Sequence, residues 1–129
     1  MGDTPARTAS LVLIVEEETH EREAIADHLR GAGFEVCHAA DTDEALASLN
    51  RGGDVVAVVT DAHVPGEIDG HELAALVRRE WPSIAVILMS GHSDASSGAV
   101  PDGAAFVAKP FLLEHIVPTL RRLLSDSVG

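Results

Sequence analysis

The sequence feature that most constrains the fold is the stretch from Asp54 to Gly70. It opens with Val55 to Val59, an unbroken run of β-branched and small apolar residues without alternation. Such a run is too short for a typical helix and is typical of a central parallel strand covered on both faces. Asp61 and then the turn-forming pairs Pro65-Gly66 and Asp69-Gly70 follow. The carboxylate of Asp61 is therefore expected at the junction between a buried strand and a loop.

Apolar runs of strand length recur along the chain and alternate with segments of helical periodicity. The other runs are Leu11 to Val15, Phe34 to His38, Ile84 to Met89 and Ala104 to Ala108. This alternation predicts an α/β fold with a five-stranded parallel sheet and helices on both faces. Between Ser90 and Phe106 the helical pattern fails, so we expect the fourth helix to be short or irregular.

Capping and breaking residues suggest where the other helices begin. Thr19 is expected to cap a first helix that runs from about His20 to Arg30. The last helix is expected to bury one apolar face made of Leu113, Ile116, Val117, Leu120 and Leu124. Pro118 lies inside that pattern, where it should kink the helix or delay its start.

Length and composition indicate a single domain that does not bind nucleic acid. The chain has 129 residues, 46% of them hydrophobic, and a net charge of −12 that opposes nucleic-acid phosphates. The single Cys37 cannot form an internal disulfide and favours a reducing, cytoplasmic setting. The apolar runs are well short of the ~20 residues that cross a bilayer. We expect a disordered tail over residues 1–9, a domain over residues 10–125 and a short C-terminal tail over residues 126–129.

Polar side chains follow four of the five predicted strands. Glu16, Glu17 and Glu18 follow the first run, Asp61 the third, Ser90 the fourth, and Lys109 with Pro110 the fifth. Parallel strands bring their carboxyl ends to one edge of the sheet, which is where α/β proteins bind ligands. A lone Asp after a strand usually only caps a turn, but the other strand ends favour a functional site.

With these motifs in this order, the chain resembles the receiver domain of two-component response regulators, from about Leu11 to Leu124. Receivers carry an acidic pair after strand 1, a phosphoacceptor Asp after strand 3, Ser or Thr after strand 4 and Lys-Pro after strand 5. The resemblance implies a flavodoxin-like three-layer sandwich with strand order 2-1-3-4-5. It also implies that Asp61 accepts a phosphoryl group from a histidine kinase.

The resemblance further implies a role for each strand-end residue. Glu17, Asp61 and the backbone carbonyl of His63 would bind Mg²⁺, which takes oxygen ligands, and Glu16 would orient that shell, through water. Lys109 would hold one phosphoryl oxygen as a point charge. The hydroxyl of Ser90 would bond another phosphoryl oxygen, and Phe106 lies where many receivers carry an aromatic switch residue.

The expected function is that of a stand-alone response regulator, not an enzyme, that switches protein–protein interactions. Its partners would be a sensor histidine kinase and a histidine phosphotransfer protein or another protein effector, with no nucleic acid and no membrane. One alternative is a receiver-shaped module that binds partners without phosphorylation, because Glu17 stands where the family usually has Asp. A phosphatase with an aspartyl-phosphate intermediate would need a second Asp where His63 stands. A flavodoxin-like cofactor binder is disfavoured because the loop after strand 1 is acidic.

Overall fold

The computed structural model describes residues 10–91, 100–109 and 112–128, with side chains described as far as residue 125. The predicted disordered tail and residues 92–99 of the expected irregular helix lie outside this part of the chain. The elements are β1 (Leu11–Val15), α1 (Thr19–Gly31), β2 (Glu35–Ala39), α2 (Thr42–Asn50), β3 (Val55–Asp61), α3 (Gly70–Glu80), β4 (Ala85–Ser90), β5 (Ala105–Ala108) and α4 (Leu112–Val128).

The five strands form one parallel sheet with the order β2-β1-β3-β4-β5, which confirms the predicted flavodoxin-like topology. The central strands β1, β3 and β4 are almost wholly buried. The register places Val15 of β1 beside Thr60 of β3, and Asp61 beside Met89 of β4. The carboxyl ends of these three strands therefore lie together at one edge of the sheet.

Helices cover both faces of the sheet and divide the core in two. On one face, α1 and α4 pack Ile25, Leu29 and Ile116 against side chains such as Ile14 and Ile87. On the other face, α2 and α3 pack against the opposite side chains of the same strands, because successive residues of a strand point to opposite faces. No helix in the described part of the chain is both long and apolar enough to cross a membrane.

Three predicted boundaries shift, and two of the shifts bear on the site. Asp61 and Ser90 are the last residues of β3 and β4 instead of the first residues of the following loops. The expected cap at Thr19 is wrong, since Thr19 is already helical and Glu18 is the N-cap of α1. The Glu18 carboxylate accepts a hydrogen bond of 2.9 Å from the backbone N–H of Glu21.

The last helix differs from the predicted one in its buried face. Leu113 is 43% exposed and the preceding Leu112 is buried in its place, together with Ile116 and Leu120. These three residues follow i, i+4 and i+8, the spacing of one helical face. The helix begins at Leu112, so Pro118 does not delay its start. It also continues to Val128, beyond the boundary expected after residue 125.

The loop after Asp61 is tied to α2 and packed against the start of α3. The Thr42 hydroxyl donates a 2.8 Å hydrogen bond to the carbonyl of Ile68. The backbone N–H of Gly70 donates to Ala62 at 3.1 Å, and a Cβ on Gly70 would lie only 2.8 Å from Ala62 Cα. Real Cβ atoms essentially never come closer than 3.0 Å to a heavy atom. Glycine at position 70 thus allows the close approach of α3 to the end of β3.

Candidate functional site

Asp61 lies at the centre of the carboxyl edge, with its side chain 13% exposed. One carboxylate oxygen, Oδ1, accepts a 3.1 Å hydrogen bond from the backbone N–H of His63. The other, Oδ2, accepts a 2.8 Å hydrogen bond from the ammonium of Lys109. Burial by itself would raise the pKa of Asp61, but Lys109 and the His63 N–H outweigh it and hold that pKa below its ordinary value. Asp61 is thus an ionised, partly accessible carboxylate held in one orientation.

Glu16 follows β1 directly and is more deeply buried than Asp61, with its side chain 3% exposed. Its Oε2 accepts a 3.0 Å hydrogen bond from the backbone N–H of Glu18, and its Oε1 lies 3.0 Å from Lys109 Nζ. Burial raises the pKa of Glu16, and the nearby charge of Asp61 acts in the same direction. The structure therefore brings Glu16 into direct contact with Lys109, and its predicted role in orienting the shell of a metal ion stays a prediction.

Lys109, the only lysine in the sequence, contacts three carboxylates. It lies just after β5, and its Nζ is 2.8 Å from Asp61, 3.0 Å from Glu16 and 2.5 Å from Glu21. Its side chain is 20% exposed. Burial would lower the pKa of Lys109, but its hydrogen bonds to the three carboxylates outweigh burial and raise that pKa. Lys109 is therefore a permanent cation of the site and not an ordinary surface lysine.

The remaining predicted residues lie at or near the same edge. Ser90, the last residue of β4, is 1% exposed and pairs with Ala108, the residue before Lys109. Phe106 lies opposite Leu88 and packs, half-buried, against the core on the α2 and α3 face. The switch roles of Ser90 and Phe106 stay predictions.

Glu17 and His63 have exposed side chains. The ring of His63 meets that of His71 edge to face at 6.5 Å between centroids, on the side of the site formed by α3. Glu17 is not among the side chains that group around Asp61 in the described part of the chain. The metal-binding roles predicted for Glu17 and for the His63 carbonyl stay predictions.

The residues that are present fit a hard divalent cation. Single carboxylate oxygens of Glu16, Glu21 and Asp61 all lie within 4.8 Å of one another. Oxygen is the donor type that Mg²⁺ prefers. Glu16 Oε1 is buried and lies 3.0 Å from Lys109 Nζ, so a cation bound by this oxygen would replace its contact with Lys109. Glu21 was not predicted as a site residue. An acidic residue in the first turn of α1 is equally well explained by its favourable interaction with the helix dipole.

Fold and site together define a parallel α/β domain with an acidic, lysine-containing edge. Residues 12–121 match the response regulator receiver domain family, and the chain belongs to that family. The response regulator protein FleR of Pseudomonas aeruginosa is 36% identical over 117 residues, covering 88% of this chain and 24% of FleR. Sensor kinase CckA of Brucella abortus is 35% identical over 120 residues, covering 90% of this chain and 13% of CckA.

Solved structures agree with this assignment. The receiver domain of NtrX from Brucella abortus is 29% identical, with a TM-score of 0.79 over 88% of this chain and 98% of that domain. A response regulator receiver protein from Sinorhizobium medicae is 25% identical, with a TM-score of 0.80 over 95% of this chain and 99% of that protein. The chain spans only about a quarter of the length of curated relatives such as FleR and DctD of Rhizobium meliloti.

Proposed function

We propose that this receiver domain accepts a phosphoryl group on Asp61 from a phosphohistidine of a sensor kinase, in a Mg²⁺-dependent reaction in the cytoplasm. The observation that carries the proposal is the position of Asp61. Its carboxylate is ionised, lies at the carboxyl edge of the sheet and is oriented by a backbone N–H and by Lys109. A fixed, ionised carboxylate next to a permanent cation suits nucleophilic attack on phosphorus.

In the proposed transfer, a carboxylate oxygen of Asp61 forms a bond to phosphorus while the bond from phosphorus to the imidazole nitrogen of the donor breaks. The imidazole leaves with the electron pair of that bond and takes up a proton. Lys109 would stay beside Asp61 and pair with a phosphoryl oxygen, and the Ser90 hydroxyl would donate to another. A Mg²⁺ ion bound by acidic residues of the site would neutralise the negative charge that gathers there.

The domain is itself the acceptor, so we propose a signalling role and not an enzyme acting on other molecules. Phosphorylation would switch its contacts with a protein effector or pass the phosphoryl group to a histidine phosphotransfer protein. The net charge of −12 supports protein partners over nucleic acid.

The test is the intact mass of the protein after incubation with acetyl phosphate and Mg²⁺. We expect the wild type to gain one phosphoryl group and Asp61→Asn to gain none, because Glu16, the other carboxylate that contacts both Lys109 and a backbone N–H, is only 3% exposed, whereas Asp61 is 13% exposed. Equal gain in Asp61→Asn would exclude Asp61 as the acceptor. No gain in the wild type, with folding verified by circular dichroism, would favour the module that binds partners without phosphorylation.

A further inference from the structure

We propose that Thr42, the first residue of α2, is a positioning residue for the phosphorylation of Asp61. Its buried hydroxyl holds the loop that follows β3, and this loop carries the backbone N–H that orients the Asp61 carboxylate. The inference rests on the proposed function, because it concerns the geometry of the proposed phosphoacceptor. Thr42 would act through the loop and not by touching the phosphodonor.

Residues 65–68 of this loop are hydrogen-bonded to the first turn of α2. The Thr42 backbone N–H donates to the Pro65 carbonyl at 2.9 Å, and the Thr42 hydroxyl donates to the Ile68 carbonyl at 2.8 Å. A longer hydrogen bond of 3.4 Å runs from the Glu67 N–H to the Asp43 carboxylate. The Thr42 side chain is completely buried, so water cannot replace its hydroxyl as a donor to the loop unless the packing changes.

The loop lies so close to Thr42 that position 66 requires glycine. Gly66 has a φ of +132°, a backbone conformation that residues with a side chain rarely adopt. A Cβ built on Gly66 would overlap the Thr42 hydroxyl and lie 3.0 Å from the Thr42 backbone nitrogen. The loop therefore runs directly against the start of α2, with no room for a side chain between them.

The residue that orients Asp61 lies between two anchored points of this loop. On one side, the Ala62 N–H donates a 2.8 Å hydrogen bond to β4. On the other side, Thr42 bonds the loop at Pro65. His63 lies between them, and its N–H donates to Asp61 Oδ1 at 3.1 Å. The direction of that N–H, and with it the orientation of the carboxylate, therefore depends on both anchors.

The start of α2 is also bonded to the other strand-end loop of the candidate site. The Ala39 carbonyl, three residues before Thr42, accepts a 3.0 Å hydrogen bond from the Glu16 N–H. Glu16 contacts Lys109, which in turn contacts Asp61. Thr42 thus belongs to a short segment that supports the loops after β1 and β3 together. Reacting groups need such support, because their geometry must be held closely for the reaction to proceed.

The experiment measures the rate at which acetyl phosphate, with Mg²⁺, phosphorylates the full chain and the variant Thr42→Val. Valine has nearly the shape of threonine but no hydroxyl, so the variant leaves the Ile68 carbonyl without its donor. We expect the rate constant at saturating acetyl phosphate to fall roughly tenfold, since displacing a reacting group by about 1 Å can cost roughly a hundredfold. The half-saturating concentration of acetyl phosphate should stay unchanged, because Thr42 does not contact the donor.

Two control variants separate positioning from packing. Thr42→Ser keeps the hydroxyl and should restore the rate constant. Thr119→Val makes the same change on a buried threonine of α4 and should leave the rate constant unchanged. Thermal unfolding verifies that every variant is folded at the assay temperature. Amide hydrogen exchange at His63, measured by NMR without any phosphodonor, should be faster in Thr42→Val than in the wild type, because the loop opens more often.

The inference is overturned if folded Thr42→Val reacts at the wild-type rate, or if Thr42→Ser or Thr119→Val is equally slow. A rise in the half-saturating concentration alone would also overturn it, because that result would place Thr42 in donor binding. The amide measurement separates the inference from the proposed function. A wild type that gains no phosphoryl group, with faster exchange at His63 in Thr42→Val, would refute the function and leave the anchoring of the loop standing. A normally phosphorylated wild type with unchanged exchange in Thr42→Val would do the reverse.

Discussion

Replacing Gly70 by Ala tests how tightly α3 packs against the end of β3. A Cβ built on Gly70 would lie 2.8 Å from both Ala62 Cα and the carbonyl carbon of Asp61, and closer still to the Asp61 carbonyl oxygen. All three atoms belong to the backbone at the end of β3. That strand pairs with β1 on one side and β4 on the other, so it cannot move aside. The start of α3 must shift instead.

The cost of that shift can be separated from helix propensity. Gly70 is the first residue of α3, after the N-cap Asp69, so Ala at this position gains in propensity and any loss of stability must come from the close approach. Overpacking of a dense interior costs typically 1–3 kcal/mol, and contact with immobile backbone places Gly70→Ala at about 3 kcal/mol. The shift of α3 also weakens the hydrogen bond from the Gly70 N–H to the Ala62 carbonyl, which holds the loop after Asp61, so phosphorylation should slow.

Gly31→Ala is the matched control, because a Cβ on Gly31 at the end of α1 would meet no atom within 4 Å. It should stabilise the domain by about 0.4–1 kcal/mol, since Ala restricts the unfolded chain more than Gly does. Urea unfolding followed by Trp81 fluorescence measures both changes, because Trp81 packs, half-buried, against the core. If Gly70→Ala were as stable as the wild type, the tight packing of α3 on β3 would be refuted.

Two further changes probe other contacts of the fold and the site. Lys109→Met removes the ammonium that would compete with Mg²⁺ for the carboxylates of Glu16, Glu21 and Asp61. We expect this variant to bind Mg²⁺ more tightly and to show a smaller conformational change on phosphorylation. A weaker affinity for Mg²⁺ would contradict this competition. Arg78→Met should destabilise the domain by about 1–2 kcal/mol, because the Arg78 guanidinium donates to three backbone carbonyls, those of Pro82, Ile84 and Asp102. Arg79→Met is the control, because Arg79 makes an exposed ion pair with Glu80. It should change the free energy of unfolding by less than about 0.5 kcal/mol in the same urea titration. If both variants lost the same stability, the hydrogen bonds of Arg78 would not be what stabilises the domain.

Strand identity and order could be predicted because the signals were local and redundant. The run from Val55 to Val59 is apolar throughout, and the observed β3 contains it whole. The buried face of α4 was less predictable. Leu112 and Leu113 are adjacent and chemically identical, so only the phase of the helix decides which one is buried. That phase depends on how the chain leaves β5, which the apolar pattern does not encode.

The strand ends that supply the candidate site could be predicted, but position alone did not show which acidic side chains are buried there. Glu16, Glu17 and Glu18 have identical side chains, but these side chains lie in three different environments after the end of β1. Glu16 is buried in the site, Glu17 faces solvent and Glu18 caps a helix. The distinction arises because the chain turns from strand to helix within three residues and each side chain leaves in a different direction. Glu21 enters the site only through that turn.

The formal charge of the candidate site predicts an order for the proposed metal binding and phosphorylation. Asp61, Glu16 and Glu21 around Lys109 carry a formal charge of −2. An incoming phosphoryl group carries roughly two negative charges of its own. At about 4 Å, two like unit charges near a protein surface repel by roughly 4 kcal/mol, so approach to the metal-free site is strongly opposed. A divalent cation held by these carboxylates would cancel the charge of the site. Metal binding should therefore precede phosphorylation, with Lys109 released from one carboxylate at the first step and available to a phosphoryl oxygen at the second.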